Sequence, residues 1–352
     1  MLLARAPVRT SLAGGGTDLE DYYARYGGMV VSAAIDKYFY VFVSANGGQG
    51  VHIGSSDYRC FHRWSGRNGG HWDGDLRLPR AILDEFDISG GLSIFLASEI
   101  PPGTGLGSSS AVAAALTKAL STLTGSRRRP EEVAEIAYRV ESEKLGRPCG
   151  KQDHYASAFG GLNAIYFESG AVRVEPLDLG LETQERLRER LLLFFLGSSR
   201  NASDIGKAQR QATREGKEDV IESLHYLKEA ARVTREALKS GDLPVLGEVL
   251  RDSWERKKKL AAGISNPHID EIYRRALAKG AVGGKITGAG GGGFLLLYCE
   301  PPYREQVCGE MESLKLYRMD FHFDTGGARV LMNSVSGNGH AAAVGCPQGF
   351  VS

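Results

Sequence analysis

The stretch Pro101-Pro102-Gly103-Thr104-Gly105-Leu106-Gly107-Ser108-Ser109-Ser110-Ala111 lies between a short apolar run, Leu92 to Leu96, and an Ala-rich apolar segment, Ala111 to Leu123. That order predicts a strand, a glycine-rich loop and a helix. Three glycines let the backbone turn its N–H groups inward, and the helix start adds unpaired donors and the positive end of a dipole. Ser108, Ser109 and Ser110 add hydroxyls for phosphate oxygens or a metal ion. A loop of this composition suits a polyphosphate. It is not a P-loop, because no Lys follows Gly107, and it lacks the third glycine of a dinucleotide fingerprint. The plainer alternative is a tight turn feeding a helix, with Ser108 as its cap.

Two further segments narrow the reading. Ala6-Pro7-Val8-Arg9-Thr10-Ser11-Leu12-Ala13-Gly14-Gly15-Gly16-Thr17-Asp18 stands near the N-terminus, and Lys285-Ile286-Thr287-Gly288-Ala289-Gly290-Gly291-Gly292-Gly293-Phe294 near the C-terminus. Together and in this order, the three segments resemble the signature of the GHMP small-molecule kinases, over about residues 4 to 331. Within that superfamily, four features look most like the D-glycero-D-manno-heptose 7-phosphate kinases. These are Gly14-Gly15-Gly16-Thr17-Asp18-Leu19, Ile35-Asp36-Lys37-Tyr38, Gly150-Lys151-Gln152-Asp153 and Phe159-Gly160-Gly161. The resemblance implies a two-domain α+β fold, ribosomal-protein-S5-domain-2-like in its N-terminal half and ferredoxin-like in its C-terminal half. It implies transfer of the γ-phosphoryl group of ATP, with Mg²⁺, to the anomeric hydroxyl of a heptose 7-phosphate, giving the 1,7-bisphosphate. The alternatives are another sugar 1-kinase, of fucose, galactose or hexose-phosphate type, and a non-catalytic sensor on the same fold.

The resemblance also assigns roles. Asp153 falls where sugar kinases of this kind carry a catalytic aspartate, able to accept the proton of the acceptor hydroxyl. Arg9 matches the arginine that approaches it, to keep the carboxylate ionised and stabilise charge at the transferring group. Pro102, Gly103, Gly105, Leu106, Gly107, Ser108, Ser109 and Ser110 would hold the nucleotide. Gly15, Gly16, Thr17 and Asp18 match the segment that meets sugar hydroxyls, and Gly290 and Gly291 lie in a run close to nucleotide or substrate. Arg200, before a helix, suits a substrate phosphate, with Lys37 and Lys151 as rival cations. Ser109 and Glu143 are the matched Mg²⁺ pair, oxygen ligands being right for this hard ion; Glu141 is the alternative to Glu143 if the spacing carries a one-residue gap. Each of these residues has a plainer reading: Asp153 as a helix cap, Arg9 as a structural ion pair, Glu143 as a solvated helix residue.

Composition excludes several classes. Lys plus Arg number 43 against 42 Asp plus Glu, so no global field favours nucleic acid or an anionic membrane. No apolar stretch approaches the roughly 20 residues of a membrane span, and no signal-peptide pattern opens the chain. Cys60, Cys149, Cys299, Cys308 and Cys346 are scattered and without C-x-x-C pairs, as in a reduced, cytoplasmic protein. The expected partner is a small sugar or sugar phosphate, and a homodimer is the association to test. His154 beside Asp153 reads as a satisfied or exposed histidine, and Trp64 and Trp72 as core or as an adenine-stacking surface.

Periodicity and punctuation predict the elements. Thr17-x-x-Glu20 reads as a capping box for a helix from Asp18 to Tyr26, closed by Gly27. Met29 to Ala34 and Tyr38 to Ala45 read as two strands joined by a turn at Asp36 and Lys37. Glu131 to Lys144 reads as one helix, and Leu162 to Phe167 with Ala171 to Leu177 as a hairpin. A strand at Leu191 to Leu196 precedes three helices, another helix from Pro267, and strands at Gly283–Thr287, Phe294–Cys299, Arg318–Phe323 and Ala328–Met332. The expected domains are residues 1–185 and 186–335, with 336–352 a flexible tail.

Overall fold

Leu2, Ala4 and Ala6 alternate with more exposed neighbours, and from Ala6 to Ala13 every residue of the first strand is buried. The strand thus starts as a half-covered sheet strand and ends sandwiched between layers, which draws Arg9 into the interior. The computed structural model describes residues 1–48, 50–57, 59–64, 76–197 and 202–334. In chain order the first part comprises β1 (Leu2–Ala13), α1 (Glu20–Tyr26), β2 (Gly28–Ala45), β3 (Val51–Ser55), β4 (Cys60–Trp64), α2 (Arg77–Glu85) and β5 (Leu92–Ser98). Then follow α3 (Ser108–Leu123), α4 (Pro130–Arg139), α5 (Gln152–Phe159), β6 (Leu162–Glu168), β7 (Ala171–Pro176) and α6 (Leu181–Arg190). The remainder is β8 (Leu191–Phe195), α7 (Ala202–Arg214), α8 (Glu218–Ser240), α9 (Pro244–Lys257), α10 (Pro267–Ala278), β9 (Ala281–Ile286), β10 (Phe294–Cys299), α11 (Arg304–Ser313), β11 (Tyr317–Met319) and β12 (Arg329–Asn333).

The fold is α+β, with two sheets. The larger has eight strands, ordered β12-β1-β2-β5-β3-β4, with β6 and β7 branching from β2. The smaller has four antiparallel strands, ordered β11-β8-β10-β9. Helix α3, which buries five alanines and two leucines, packs on β1 and β2; α9 packs on both the small sheet and β1, and α8 packs on α9, β1 and β2. Small side chains are what permit this: Ala113, Ala114 and Ala115 are fully buried.

Four expectations are corrected. The two strands foreseen around Asp36 and Lys37 are one, β2; the register against β1 jumps from Pro7↔Tyr38 to Val8↔Ile35, so Asp36 and Lys37 form a bulge and not a turn. Helix α1 begins at Glu20 with no side-chain cap, because Thr17 spends its hydroxyl on Gly14 O and Met29 O, 2.8 Å each. Ser108 does not cap α3: the cap is Gly107, in the left-handed region at φ 80°, and Ser108 is already the first helical residue. The helix foreseen from Glu131 to Lys144 is α4 followed by a π-helical turn, Val140–Lys144. The last strand forms near its expected place, but as β12 on the free edge of β1, in the first sheet. The expected tail lies outside the described residues. None of the described helices is long and apolar enough to cross a membrane.

Candidate active site

The glycine-rich loop is held from both sides. Arg9 N–H donates to Leu106 O, which ties β1 to the loop, and Phe294 N–H donates to Thr104 O, which ties the third glycine motif to it. Gly105, at φ +76°, lies so close to Thr287 that a Cβ would come 2.5 Å from its carbonyl, and Gly288 lies equally close to Gly105. Only glycines permit two backbones to approach like this. Leu106 and Ser110 are buried beneath the loop, while Pro102, Gly103, Gly105, Gly107, Ser108 and Ser109 line a cavity of about 490 Å³ between the two sheets.

Asp153 sits in the first turn of α5, its carboxylate directly against Gly107. Arg9 donates through Nε to Asp153 Oδ1 at 2.7 Å and through Nη1 to Gly105 O at 2.8 Å. A second guanidinium nitrogen, Nη2, reaches the same Asp153 oxygen at 2.6 Å. One planar fork therefore fixes the carboxylate relative to the loop. Arg9 is 3% exposed while the Asp153 side chain is 27% exposed, so the cation is buried and the carboxylate stays open to the cavity.

Asp18 is buried and acts as an acceptor for two chain segments: Gly16 N–H donates to Oδ1 at 3.0 Å and Gln152 N–H to Oδ2 at 3.1 Å. Burial and the charge of Asp153 push its carboxyl up, against the lowering effect of those donors. A Cβ on Gly150 would collide with the Asp18 carboxylate. Gly150→Ala should therefore push Asp18 off the start of α5 and cost about 1–3 kcal/mol of stability, read from denaturant midpoints; an unchanged midpoint would contradict this.

Gly15, Gly16 and Asp18 line the cavity; Thr17, buried behind them, does not. Gly290 and Gly291 pack against Ile264 instead, while Gly288 and Ala289 supply the lining from that run. Lys37 pairs with Asp36 on the bulge, and Lys151 with Glu135 at 2.6 Å; neither reaches the cavity. Arg200 lies outside the described residues, as does Trp72. Trp64 is a buried core residue with Arg80 over its ring.

Glu143 is exposed and outside the cavity, whereas Glu141, at 2% exposure, lines it. Glu141 stands four residues after Ala137 and seven after Ala134, both fully buried, so it continues the buried face of α4, whereas Glu143 follows the exposed Arg139 by four. Burial alone would push the Glu141 carboxyl up. Hydrogen bonds from His154 and Ser109, with the charge of Arg147, overrule it and hold the group at about 2. His154 Nε2 is 2.9 Å from Glu141 Oε2, and Arg147 Nη1 is 3.3 Å from Oε1.

Two lysines complete the lining. Lys257, at the end of α9, donates to Ile286 O at 2.7 Å and Gly288 O at 2.6 Å. Lys285 in β9 is buried and donates to Leu12 O at 3.1 Å, across the gap between the sheets. Neither has a carboxylate partner among the described residues. Burial and the charge of Arg9 pull Lys257 down to about 7; burial and the charges of Lys257 and Arg9 lower Lys285 strongly. Two lysines that burial and like charge drive toward the neutral amine would be drawn back to the ammonium form by an anion beside them, so the cavity favours anionic ligands.

That cluster has a pH signature. Below the usual lysine range, at about 10.4, the unfolded chain keeps the Lys257 proton, while the folded chain sheds it above about 7. The unfolded state binds more protons in that window, so the ligand-free protein gains stability as pH rises through it. Lys257→Met should flatten this part of the slope in urea denaturations at about pH 7 and about pH 9.

Residues 77–161 match the family model for the GHMP kinases N terminal domain, and residues 234–314 that for GHMP kinases C terminal. The chain is 30% identical over 331 residues to a D-glycero-alpha-D-manno-heptose 7-phosphate kinase of Campylobacter jejuni, covering 92% of this chain and 97% of that one. It is 30% identical to a mevalonate kinase of Thermococcus gammatolerans, over 84% of this chain and 88% of that one. A crystal structure of a D-glycero-D-manno-heptose 1-phosphate kinase from Bacteroides thetaiotaomicron superposes with a TM-score of 0.78, at 28% identity, over 95% of this chain and all of that one.

Proposed function

The chain belongs to the GHMP kinases and is an ATP-dependent sugar kinase, and from that premise we propose that its acceptor is D-glycero-D-manno-heptose 7-phosphate, phosphorylated on the anomeric hydroxyl to the 1,7-bisphosphate. The observation that carries the transfer to a hydroxyl is the Arg9 fork, which joins the Asp153 carboxylate to the Gly105 carbonyl of the nucleotide loop, while the choice of heptose is supported by the likeness to the Campylobacter jejuni kinase. A base held against a phosphate loop is what transfer from nucleotide to a hydroxyl requires. An anomeric hydroxyl is more acidic than an ordinary alcohol, so a carboxylate suffices to accept its proton.

In this reading Gly103, Gly105 and Gly107 present N–H groups to the nucleotide phosphates, and the start of α3 adds its dipole. Lys257 and Lys285 face the same space and offset the charge that gathers there. Asp18, bonded to Gly16 and Gln152, holds α5 so that Asp153 meets the acceptor. The donor set also fits Mg²⁺: the carboxylate of Glu141 is buried and held ionised, Ser109 helps to hold it so, and the buried Ser108 hydroxyl has no partner. Ser109 and Glu141 would hold the ion, which would neutralise phosphate charge when bound.

The test is ADP release with ATP and Mg²⁺ over heptose 7-phosphate, heptose 1-phosphate, galactose, fucose and mevalonate. The proposal expects heptose 7-phosphate to lead in kcat/KM by about a hundredfold or more, as sites built for polar groups discriminate strongly. Preference for heptose 1-phosphate would move the attack to another hydroxyl and discard the anomeric assignment.

A further inference from the structure

Two residues beside Glu141 have no part in the phosphoryl-transfer reading. Glu141, Cys149 and His154 each offer one ligand atom, a carboxylate oxygen, a thiol sulfur and a ring nitrogen, all within 4.8 Å of one another. They come from separate pieces of chain: the π-helical turn, the segment before α5, and α5 itself. His154 is fully buried, its ring edge-on to Tyr138 at 5.6 Å. Its Nε2 has Glu141 Oε2 as partner, and its Nδ1 has none. Cys149 lines the cavity, which gives the cluster a path from solvent.

Magnesium uses oxygen ligands and makes no use of a thiol or an imidazole. A softer divalent ion takes this exact mixture: sulfur at about 2.3 Å, nitrogen and oxygen at about 2.0–2.2 Å, with a fourth position open to water. We propose that Glu141, Cys149 and His154 form a binding site for a thiophilic divalent cation of the zinc type, whose occupancy withdraws Glu141 from magnesium and inhibits the kinase. The inhibition rests on the Mg²⁺ assignment above; the binding does not.

The chemistry balances. Cys149 gives its thiol proton to solvent and binds as thiolate; a proton on His154 Nε2 passes to Nδ1, so that the ring binds as the neutral imidazole. A 2+ ion with one thiolate and one carboxylate is neutral, which suits a site whose His154 and Glu141 are buried. Arg147 stays on Glu141 Oε1 and Ser110 Oγ, 3.4 Å from Oε2, moves with the carboxylate. Burial and the charge of Glu141 push the Cys149 thiol up, so binding weakens as pH falls.

The experiment titrates the metal-free full chain with Cd²⁺, read by the ultraviolet cadmium–thiolate charge-transfer band, with Zn²⁺ as competitor. Expected are one Cd²⁺ per chain, displacement by Zn²⁺, loss of the band in Cys149→Ser, and at least about tenfold weaker binding in His154→Gln. Circular dichroism checks that both variants fold. In the kinase assay, Zn²⁺ should inhibit in competition with Mg²⁺, and Cys149→Ser should tolerate at least about tenfold more Zn²⁺. A band that persists in Cys149→Ser places the thiolate at another cysteine and overturns the site. No band in the folded wild-type protein does the same. Cd²⁺ binding at Cys149 in a protein without turnover would uphold the site and remove only the kinase reading.

Discussion

Asp153→Asn should lower kcat by about a hundredfold to ten-thousandfold while leaving ATP affinity within a few fold. The amide keeps the shape of the carboxylate and its contact with Gly107, and Arg9 can still donate to the remaining oxygen. What it loses is the capacity to accept the acceptor's proton. The split between kcat and binding is the useful readout, since a merely structural Asp153 would lose both together. Single-turnover kinetics with saturating ATP measures it.

The second large effect belongs to Arg9. Arg9→Met should reduce kcat by about a hundredfold to a thousandfold, the range seen when a preorganised charge is removed from a site of this kind. Three contacts vanish at once: two to Asp153 Oδ1 and one to Gly105 O. The carboxylates of Asp153 and Asp18, which already repel each other, then face each other without the cation between loop and base. Arg9→Lys should recover only part of the loss, because an ammonium cannot span Asp153 and the Gly105 carbonyl together. Full recovery by lysine would show that charge alone, and not the fork, is what the position supplies.

The loop was legible from its glycine spacing, and the Arg9–Asp153 pairing and the α+β class from the resemblance to the GHMP kinases that the three ordered motifs carry. Gly103, Gly105 and Gly107 all adopt positive φ, as a phosphate-type loop demands. The failures have physical causes. Glu141 carried a usable signal, since it extends the buried Ala134 and Ala137 face of α4 by one turn, but the family match favours Glu143 over that periodicity. Lys257 sits in Arg256-Lys257-Lys258-Lys259, which reads as a solvated helix end, yet it turns back to cap Ile286 and Gly288. Lys285 carried a signal that could have been used: a lone lysine at the end of an otherwise uncharged strand, directly before Thr287-Gly288. Thr17 was misplaced because a Thr-x-x-Glu spacing is blind to a competing carbonyl, here that of Met29. His154, expected to be satisfied or exposed, is buried and partnered on one nitrogen only.

The oxygen that receives the phosphate separates anomeric transfer from every alternative. Phosphorus NMR of the product formed from ATP, Mg²⁺ and D-glycero-D-manno-heptose 7-phosphate tests that directly. A new phosphate resonance coupled to the anomeric proton, formed by the wild-type protein and absent with Asp153→Asn, is the predicted result. A phosphate on any other oxygen, or an equal yield from the variant, would contradict it.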